Sequence, residues 1–280
     1  MLTNMENNTK KTDNRAIGVF DSGLGGLTAV KEFMHILPSE SIIYFGDTGR
    51  VPYGTRSNET IVKYVRQDIK FLMNHQVKAI VAACGTASSV ALEQLKSEFN
   101  IPLIGVLEPV CLAAVNKTKN KKIGVLGTPG TINSNAYKKG IQAIMPDTQV
   151  FQKACPMFVP LVENGYLESE ATYIIAREYL AELIQNKVDT IILGCTHYPL
   201  LEKVIKDIVG ENVSIINAGY ETALYTKNIL IKNNLLSDNT DVGSNQYFVS
   251  DDVEKFAHLG GVFLGHPIET DVKKIDIETY

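Results

Sequence analysis

Short runs rich in Val, Ile and Leu recur along the chain and alternate with longer stretches whose apolar positions repeat at helical spacing. The runs "AIGVF" (16–20), "SIIYFGD" (41–47), "VKAIVAAC" (77–84) and "IPLIGV" (101–106) predict strands. So do "KIGVLG" (122–127), "TQVFQKA" (148–154), "TIILGC" (190–195) and "VSIINA" (213–218). Between them, "NETIVKYVRQDIKFLMNH" (58–75) and "EATYIIAREYLAELIQNK" (170–187) predict amphipathic helices. Near-continuous apolar strands separated by helices predict an α/β protein with buried, mainly parallel sheets, because a strand covered on both faces needs apolar side chains on both.

The pattern occurs twice. "IGVFDSGLGG" starts at Ile17 and "IGVLGTPGT" at Ile123, each followed by a strand ending in cysteine: Cys84 lies 67 positions after Ile17, and Cys195 lies 72 after Ile123. A further strand begins 17 positions after Cys84 and 18 after Cys195. A duplicated α/β half-molecule accounts for this order. It places each cysteine at the C-terminal end of a parallel strand, where open α/β sheets hold their ligands. If the halves face each other, the thiols meet across one cleft. "NQYFVSDD" and "DVEKFAHLGGVFLG" fit no third half; they read as a strand and a short helix, with Asp251 and Glu254 as a capping box. With the helix around 221–233, they are expected to complete the first domain, giving 15–108 plus 220–280 as domain one and 109–219 as domain two.

Composition narrows the classes. A formal charge of −4 over 280 residues gives no reason to expect a nucleic-acid or anionic-membrane partner. No apolar run reaches the roughly 20 residues of a membrane span. The polar, Asn-rich start of the chain lacks the apolar core of a signal peptide, so residues 1–14 read as a disordered tail and the protein as cytoplasmic. In that compartment the four cysteines, Cys84, Cys111, Cys155 and Cys195, are not expected to form a structural disulfide. No C-x-x-C pair occurs. Cys111, in "EPVCLAAV", sits on a helix-like apolar face and reads as packing.

The candidate chemistry gathers at strand ends. "FDSGLGGL" (20–27) puts Asp21, Ser22 and three glycines between a strand and a helix. There Asp21 or Ser22 either caps the helix or faces a ligand, since a helix N-terminus favours an anion. The spacing does not match G-x-G-x-x-G, which weakens a dinucleotide reading. "GDTGRVPYG" (46–54) is a Gly/Pro loop carrying Asp47, Arg50 and Tyr53, a turn or a wall of the same cleft. Both cysteines precede small or hydroxylated residues, Gly85, Thr86 and Ser88 after one and Thr196 after the other. Backbone N–H groups at such helix starts suit a carboxylate, and their partial positive charge is expected to lower a nearby thiol pKa toward neutrality. Cys195 with His197 supplies only two metal ligands, so no metal site is expected. A cysteine hydrolase would use Cys195 and His197 but leave Cys84 idle. Two facing thiols suit another task, taking a proton from one face of a carbon and returning one to the other.

These residues resemble the cofactor-independent glutamate racemases of bacteria, within the aspartate/glutamate racemase superfamily. The resemblance runs from Ile17 to "FLGHPI" and rests, in order, on "IGVFDSGLGGL", "GDTGRVPYG", "ACGTASS", "GVLEP", "ACPMFVPLVENG" and "LGCTHYPLL". It implies two similar α/β domains, pseudo-twofold related, around a substrate cleft. It also implies interconversion of L- and D-glutamate without a cofactor or metal, a homodimer, and supply of D-glutamate for peptidoglycan. Cys84 and Cys195 match the family's catalytic thiols, and Asp21, Glu163 and His197 its acid–base helpers. Ser22, Tyr53, Gly54, Gly85, Thr86, Thr196, Thr128 and Thr131 match substrate-contacting positions, as do Asp21 and His197. One position departs: many members have Asn after the first cysteine, where this chain has Gly85, so a side-chain amide contact is missing. Two rivals remain open, an aspartate racemase or related isomerase, and a two-lobed small-molecule binding protein.

Overall fold

The protein, seen in a computed structural model, is described over residues 12–268 and 270–280. Its strands are β1 Ile17–Asp21, β2 Ile42–Gly46, β3 Ala79–Ala82, β4 Leu103–Gly105, β5 Lys122–Gly127, β6 Gln149–Ala154, β7 Thr190–Leu193, β8 Ser214–Asn217, β9 Asn245–Val249 and β10 Val272–Lys274. They form two sheets, ordered β10-β9-β2-β1-β3-β4 and β6-β5-β7-β8. Every pairing is parallel. The order β2-β1-β3-β4 is repeated as β6-β5-β7-β8, so the echo between Ile17 and Ile123 is an echo of topology. Ile17 pairs with Ile42 and Ala79, and Ile123 with Val150 and Thr190. The expected α/β architecture, with two mainly parallel sheets, is what the chain adopts.

The central strands are buried along their whole length, as β1, β2, β3 and β7 show. This follows from their apolar composition once helices cover both faces. The long helices start alike in the two halves. Ser57 accepts from the Thr60 N–H at the head of the helix Asn58–Asn74, and Ser169 accepts from Thr172 at the head of the helix Glu170–Gln185. Such caps satisfy N–H groups that the first turn leaves without partners. Phe45, Phe71, Phe248 and Tyr280 pack as an aromatic cluster against the first sheet. Each fully buried ring of this kind contributes about 1.5–3 kcal/mol. The helix Ala218–Lys232 bridges the halves, with Gly219 seated against Ala29 of the helix Leu27–Ile36.

Some local expectations needed correction. β3 and β7 end two residues before their cysteines, so Cys84 and Cys195 sit just past the strands rather than in them. The cap of the helix Val253–Leu264 is Asp252, which accepts from the Lys255 N–H, while Asp251 pairs with Lys274 instead. The helix placed near 221 starts at Ala218 because Asn217 caps it through two N–H bonds. β10 was not anticipated: "VKK" is short, largely exposed and without alternation, as an edge strand is. Of the tail, residues 1–11 lie outside the described residues, while Thr12 and Asn14 hydrogen-bond Asp238. No helix among the described residues is long and apolar enough to cross a membrane.

Candidate active site

The C-terminal ends of both sheets meet around a cavity of about 250 Å³. Cys84 and Cys195 both line it, one from each half. Ser22, Tyr53, Gly54, Gly85, Thr86, Thr128, Thr131, Thr196 and His197 line it too. Asp21 and Glu163 stand behind that lining and reach it through Thr196 and His197. Among the described residues of the wall there is no Lys or Arg. A carboxylate bound here must therefore be held by hydroxyls and backbone N–H groups.

Cys84 caps the helix Gly85–Val90. Its sulfur accepts from the Ala87 N–H at 3.5 Å, and its S–H donates to the Ser22 hydroxyl at 3.5 Å. Burial nevertheless pushes the thiol up to about 11, the nearby charge of Asp21 adding to the effect and the Ala87 and Ser22 contacts opposing it. Cys195 is followed by no helix of that kind. Its sulfur lies 3.9 Å from His197 Nδ1, and His197 Nε2 lies 3.1 Å from Glu163 Oε1. Burial raises this thiol further still, against the His197 backbone N–H. The expectation of depressed thiol pKa values is thus overturned for both cysteines, because desolvation outweighs the helix-end field. The hydrogen bond to His197 holds the Glu163 carboxyl below its usual range, despite partial burial.

Asp21, the last residue of β1, is 1% exposed and accepts from the Gly23 N–H at 3.0 Å and from the Thr196 hydroxyl at 3.5 Å. Burial raises its carboxyl above the usual range, partly offset by His197 and by donors from Gly26, Gly23 and Thr196. The turn after Asp21 must come close to the other half: a Cβ on Gly25 would stand 2.4 Å from both Thr196 Oγ1 and His197 Nδ1. Gly85 is as tightly placed, its notional Cβ 2.4 Å from the carbonyl oxygen of Gly194. Thr86 from one half and Thr128 and Thr131 from the other bring three hydroxyls within 3.1–3.4 Å of one another. The ring of Tyr53 lines the cavity, but its hydroxyl turns away and lies within hydrogen-bond distance of both Asp47, at 2.5 Å, and Asp68, at 2.9 Å.

The wall also contains Val51, Pro52, Cys155, Pro156, Val159, Pro160 and Gly194, which sequence reasoning did not assign to the site. The "GDTGRVPYG" and "ACPMFVP" blocks carried that signal, since each follows a strand end that enters the cleft. The Cys155 thiol, pushed up to about 12 by burial, donates to the Lys153 carbonyl at 3.5 Å, while the Tyr198 hydroxyl donates to the backbone carbonyl of Cys155 at 3.0 Å. Cys111 is buried beneath the helix Ala136–Ile144, as packing requires. Among the described residues no three His, Cys, Asp or Glu side chains converge as metal ligands.

Two thiols are thus presented by matching strand ends to one cavity. The sequence model of Asp/Glu/Hydantoin racemase matches residues 29–222. The chain belongs to that racemase family. Racemases are isomerases, and this chain is one. It is 46% identical to the glutamate racemase of Geobacter metallireducens, over 94% of this chain and 97% of that protein. The crystal structure of a glutamate racemase isoform from Bacillus anthracis superposes with a TM-score of 0.90 at 40% identity, covering 94% of this chain and 98% of that one. The glutamate racemase of Francisella tularensis, crystallised in complex with D-glutamate, gives a TM-score of 0.89 at 38% identity, covering 96% of this chain and 100% of that one.

Proposed function

We propose that this racemase interconverts L- and D-glutamate by moving protons at Cα between two thiols, Cys84 and Cys195. The observation that carries the reading is the pair itself: thiols from two halves of one repeat, both lining one cavity, each with different helpers. One sulfur, as thiolate, takes the Cα proton; the opposite S–H gives its proton to the other face of the carbanion. The two thiols exchange protonation states in each turnover, and the reverse reaction uses the same steps. No cofactor is needed for this balance.

The energetic demand is large. An amino-acid Cα–H is a weaker acid than a thiol by roughly ten pK units or more, or about 14 kcal/mol. The cavity meets part of it by supplying N–H and hydroxyl donors for a carboxylate whose charge grows as the proton leaves. Burial holds both thiols protonated at neutral pH, so the base forms by passing a proton to a neighbour. His197, backed by Glu163, is placed for that at Cys195. Asp21, whose charge raises both thiols, serves the Cys84 side on this reading. A substrate ammonium brought beside either sulfur favours its thiolate. Ser22, Tyr53, Gly54, Gly85, Thr86, Thr128, Thr131 and Thr196 serve as the substrate-contacting set on this reading, with Gly85 contributing its backbone only. Cys84 deprotonates D-glutamate and Cys195 L-glutamate, an assignment that follows the resemblance to bacterial glutamate racemases.

The same resemblance supports a homodimer that supplies D-glutamate for peptidoglycan, and the repeated strand order supports domains 15–108 plus 220–280 and 109–219. The test is turnover of purified protein with L-glutamate and with L-aspartate in D₂O. Expected is D-glutamate carrying deuterium at Cα, without added pyridoxal phosphate. Faster racemisation of aspartate, binding without turnover, or protium kept throughout would each defeat the proposal.

A further inference from the structure

One wall of the cavity, Val51 to Thr55, rests on a buried ionic cluster that the proton transfer does not use. At its centre is Arg50. Its Nε donates to Asp47 Oδ2 at 2.6 Å and its Nη2 to Asp68 Oδ1 at 3.1 Å. Its Nη1 donates to Gln67 Oε1 at 2.6 Å and to Glu278 Oε1 at 3.2 Å. The guanidinium also lies 4.1 Å from the centre of the Tyr64 ring. Asp47 and Asp68 are fully buried, whereas Glu278 is 55% exposed at the rim. Asp47 accepts a further bond from the Ser250 hydroxyl at 2.8 Å, and Gln67 donates to the Ile277 carbonyl at 3.5 Å. Three separate parts of the chain therefore converge on one guanidinium, the loop after β2, the helix Asn58–Asn74 and the C-terminal turn Ile277–Thr279, and the segment after β9 joins them through Ser250 and Asp47.

The link to the cavity is Tyr53. Its hydroxyl is bonded to the two buried carboxylates that hold Arg50, so the orientation of its ring in the wall is set from behind. The same loop meets the opposite half: a Cβ on Gly130 would stand 2.8 Å from the Gly54 carbonyl oxygen, and one on Gly54 would stand 3.1 Å from Thr128 Oγ1. Where this loop sits thus decides how closely the halves approach on that side. A planar fork with four of its five N–H directions filled by acceptors fixes such a position in a way that a flexible ammonium does not.

We propose that Arg50 is a positioning residue for the substrate cavity, and that through it the C-terminal Glu278 helps hold the Tyr53 wall in place. The claim rests on the reading that this cavity binds the substrate. Neither Arg50 nor Glu278 touches the reacting atoms, so their effect is on binding more than on the chemical step.

The experiment compares Arg50→Lys, Tyr53→Phe and Glu278→Gln with the wild-type protein, using steady-state kinetics and hydrogen–deuterium exchange. Arg50→Lys is expected to raise KM for glutamate about tenfold or more with kcat changed less than threefold. Tyr53→Phe is expected to raise KM about threefold to tenfold, and Glu278→Gln about twofold to threefold. In each, amide exchange over residues 50–56 should quicken while that of β5 stays unchanged. If Arg50→Lys does not fold, the other two variants decide. A KM within twofold of wild type in the folded variants overturns the proposal, as does unchanged exchange over 50–56. So does a fall in kcat at constant KM that tracks a loss of folded protein. If wild-type protein fails to turn over glutamate, it is the functional reading that fails, and the exchange measurement still tests the anchoring.

Discussion

The two thiols occupy equivalent places in a repeated topology and yet live in different surroundings. Cys84 caps a helix, accepting from the Ala87 N–H and donating to the Ser22 hydroxyl. Cys195 has an imidazole beside it and a carboxylate behind that. Burial raises both thiols, Cys195 more than Cys84. Duplication therefore preserved where the sulfur sits, and divergence changed how its proton is handled. A reaction that runs in both directions needs two groups of comparable strength, but nothing requires that strength to be reached by the same means.

The sharpest way to break this comparison is to remove each sulfur in turn. Cys84→Ala and Cys195→Ala should each lower racemisation by about a thousandfold or more, in line with the loss of an essential acid–base group, while leaving the protein folded by circular dichroism. Equal losses support two indispensable partners. A variant racemising at the wild-type rate would sink the model.

A smaller and more discriminating effect is expected from His197→Asn, which alters one side only. Exchange of the Cα hydrogen of L-glutamate in D₂O should slow about a hundredfold. Exchange from D-glutamate, which the proposed assignment starts at Cys84, should persist. If both slow equally, the helper is shared, and the two sides are less distinct than their geometry implies.

The smallest effect concerns stability. An unfolded Cys84 thiol ionises near the ordinary value of 9.0, whereas the folded one does so only near 11. Its pKa is raised on folding, so the contribution is complete below pH 9 and is lost as pH climbs through 11. That loss amounts to about 3 kcal/mol. Urea unfolding of wild type and Cys84→Ala between pH 8 and 11 should show the difference between them shift by that amount. For Cys195→Ala the shift should continue to higher pH. Parallel curves would mean that burial does not set these thiols.

Much of the fold was legible because strand burial writes itself into composition. β1, β5 and β7 are runs that only a covered parallel sheet tolerates, and the spacing from Ile17 to Cys84 and from Ile123 to Cys195 exposed the repeat. Of the residues proposed as acid–base groups, Asp21, Cys84, Cys195 and His197 stood out as short motifs at strand ends, while Glu163 closes the helix Phe158–Glu163. What escaped was of another kind. β10 carries no apolar pattern, and Asp252 rather than Asp251 caps its helix because Asp251 is drawn to Lys274. The direction of Tyr53 was hidden as well, since its hydroxyl partner Asp68 lies on a later helix.

The sequence by itself determined the class of fold, its internal duplication and the matching places of the two sulfurs in it, because periodicity and local motif order are properties of neighbouring residues. Only the tertiary structure decided that both thiols are raised rather than lowered, that Asp21 reaches the site through Thr196, and that Arg50 gathers Asp47, Asp68 and Glu278 behind the cavity wall. Desolvation and charge pairing depend on which distant segments close over a group, and that is known only once the halves are packed together.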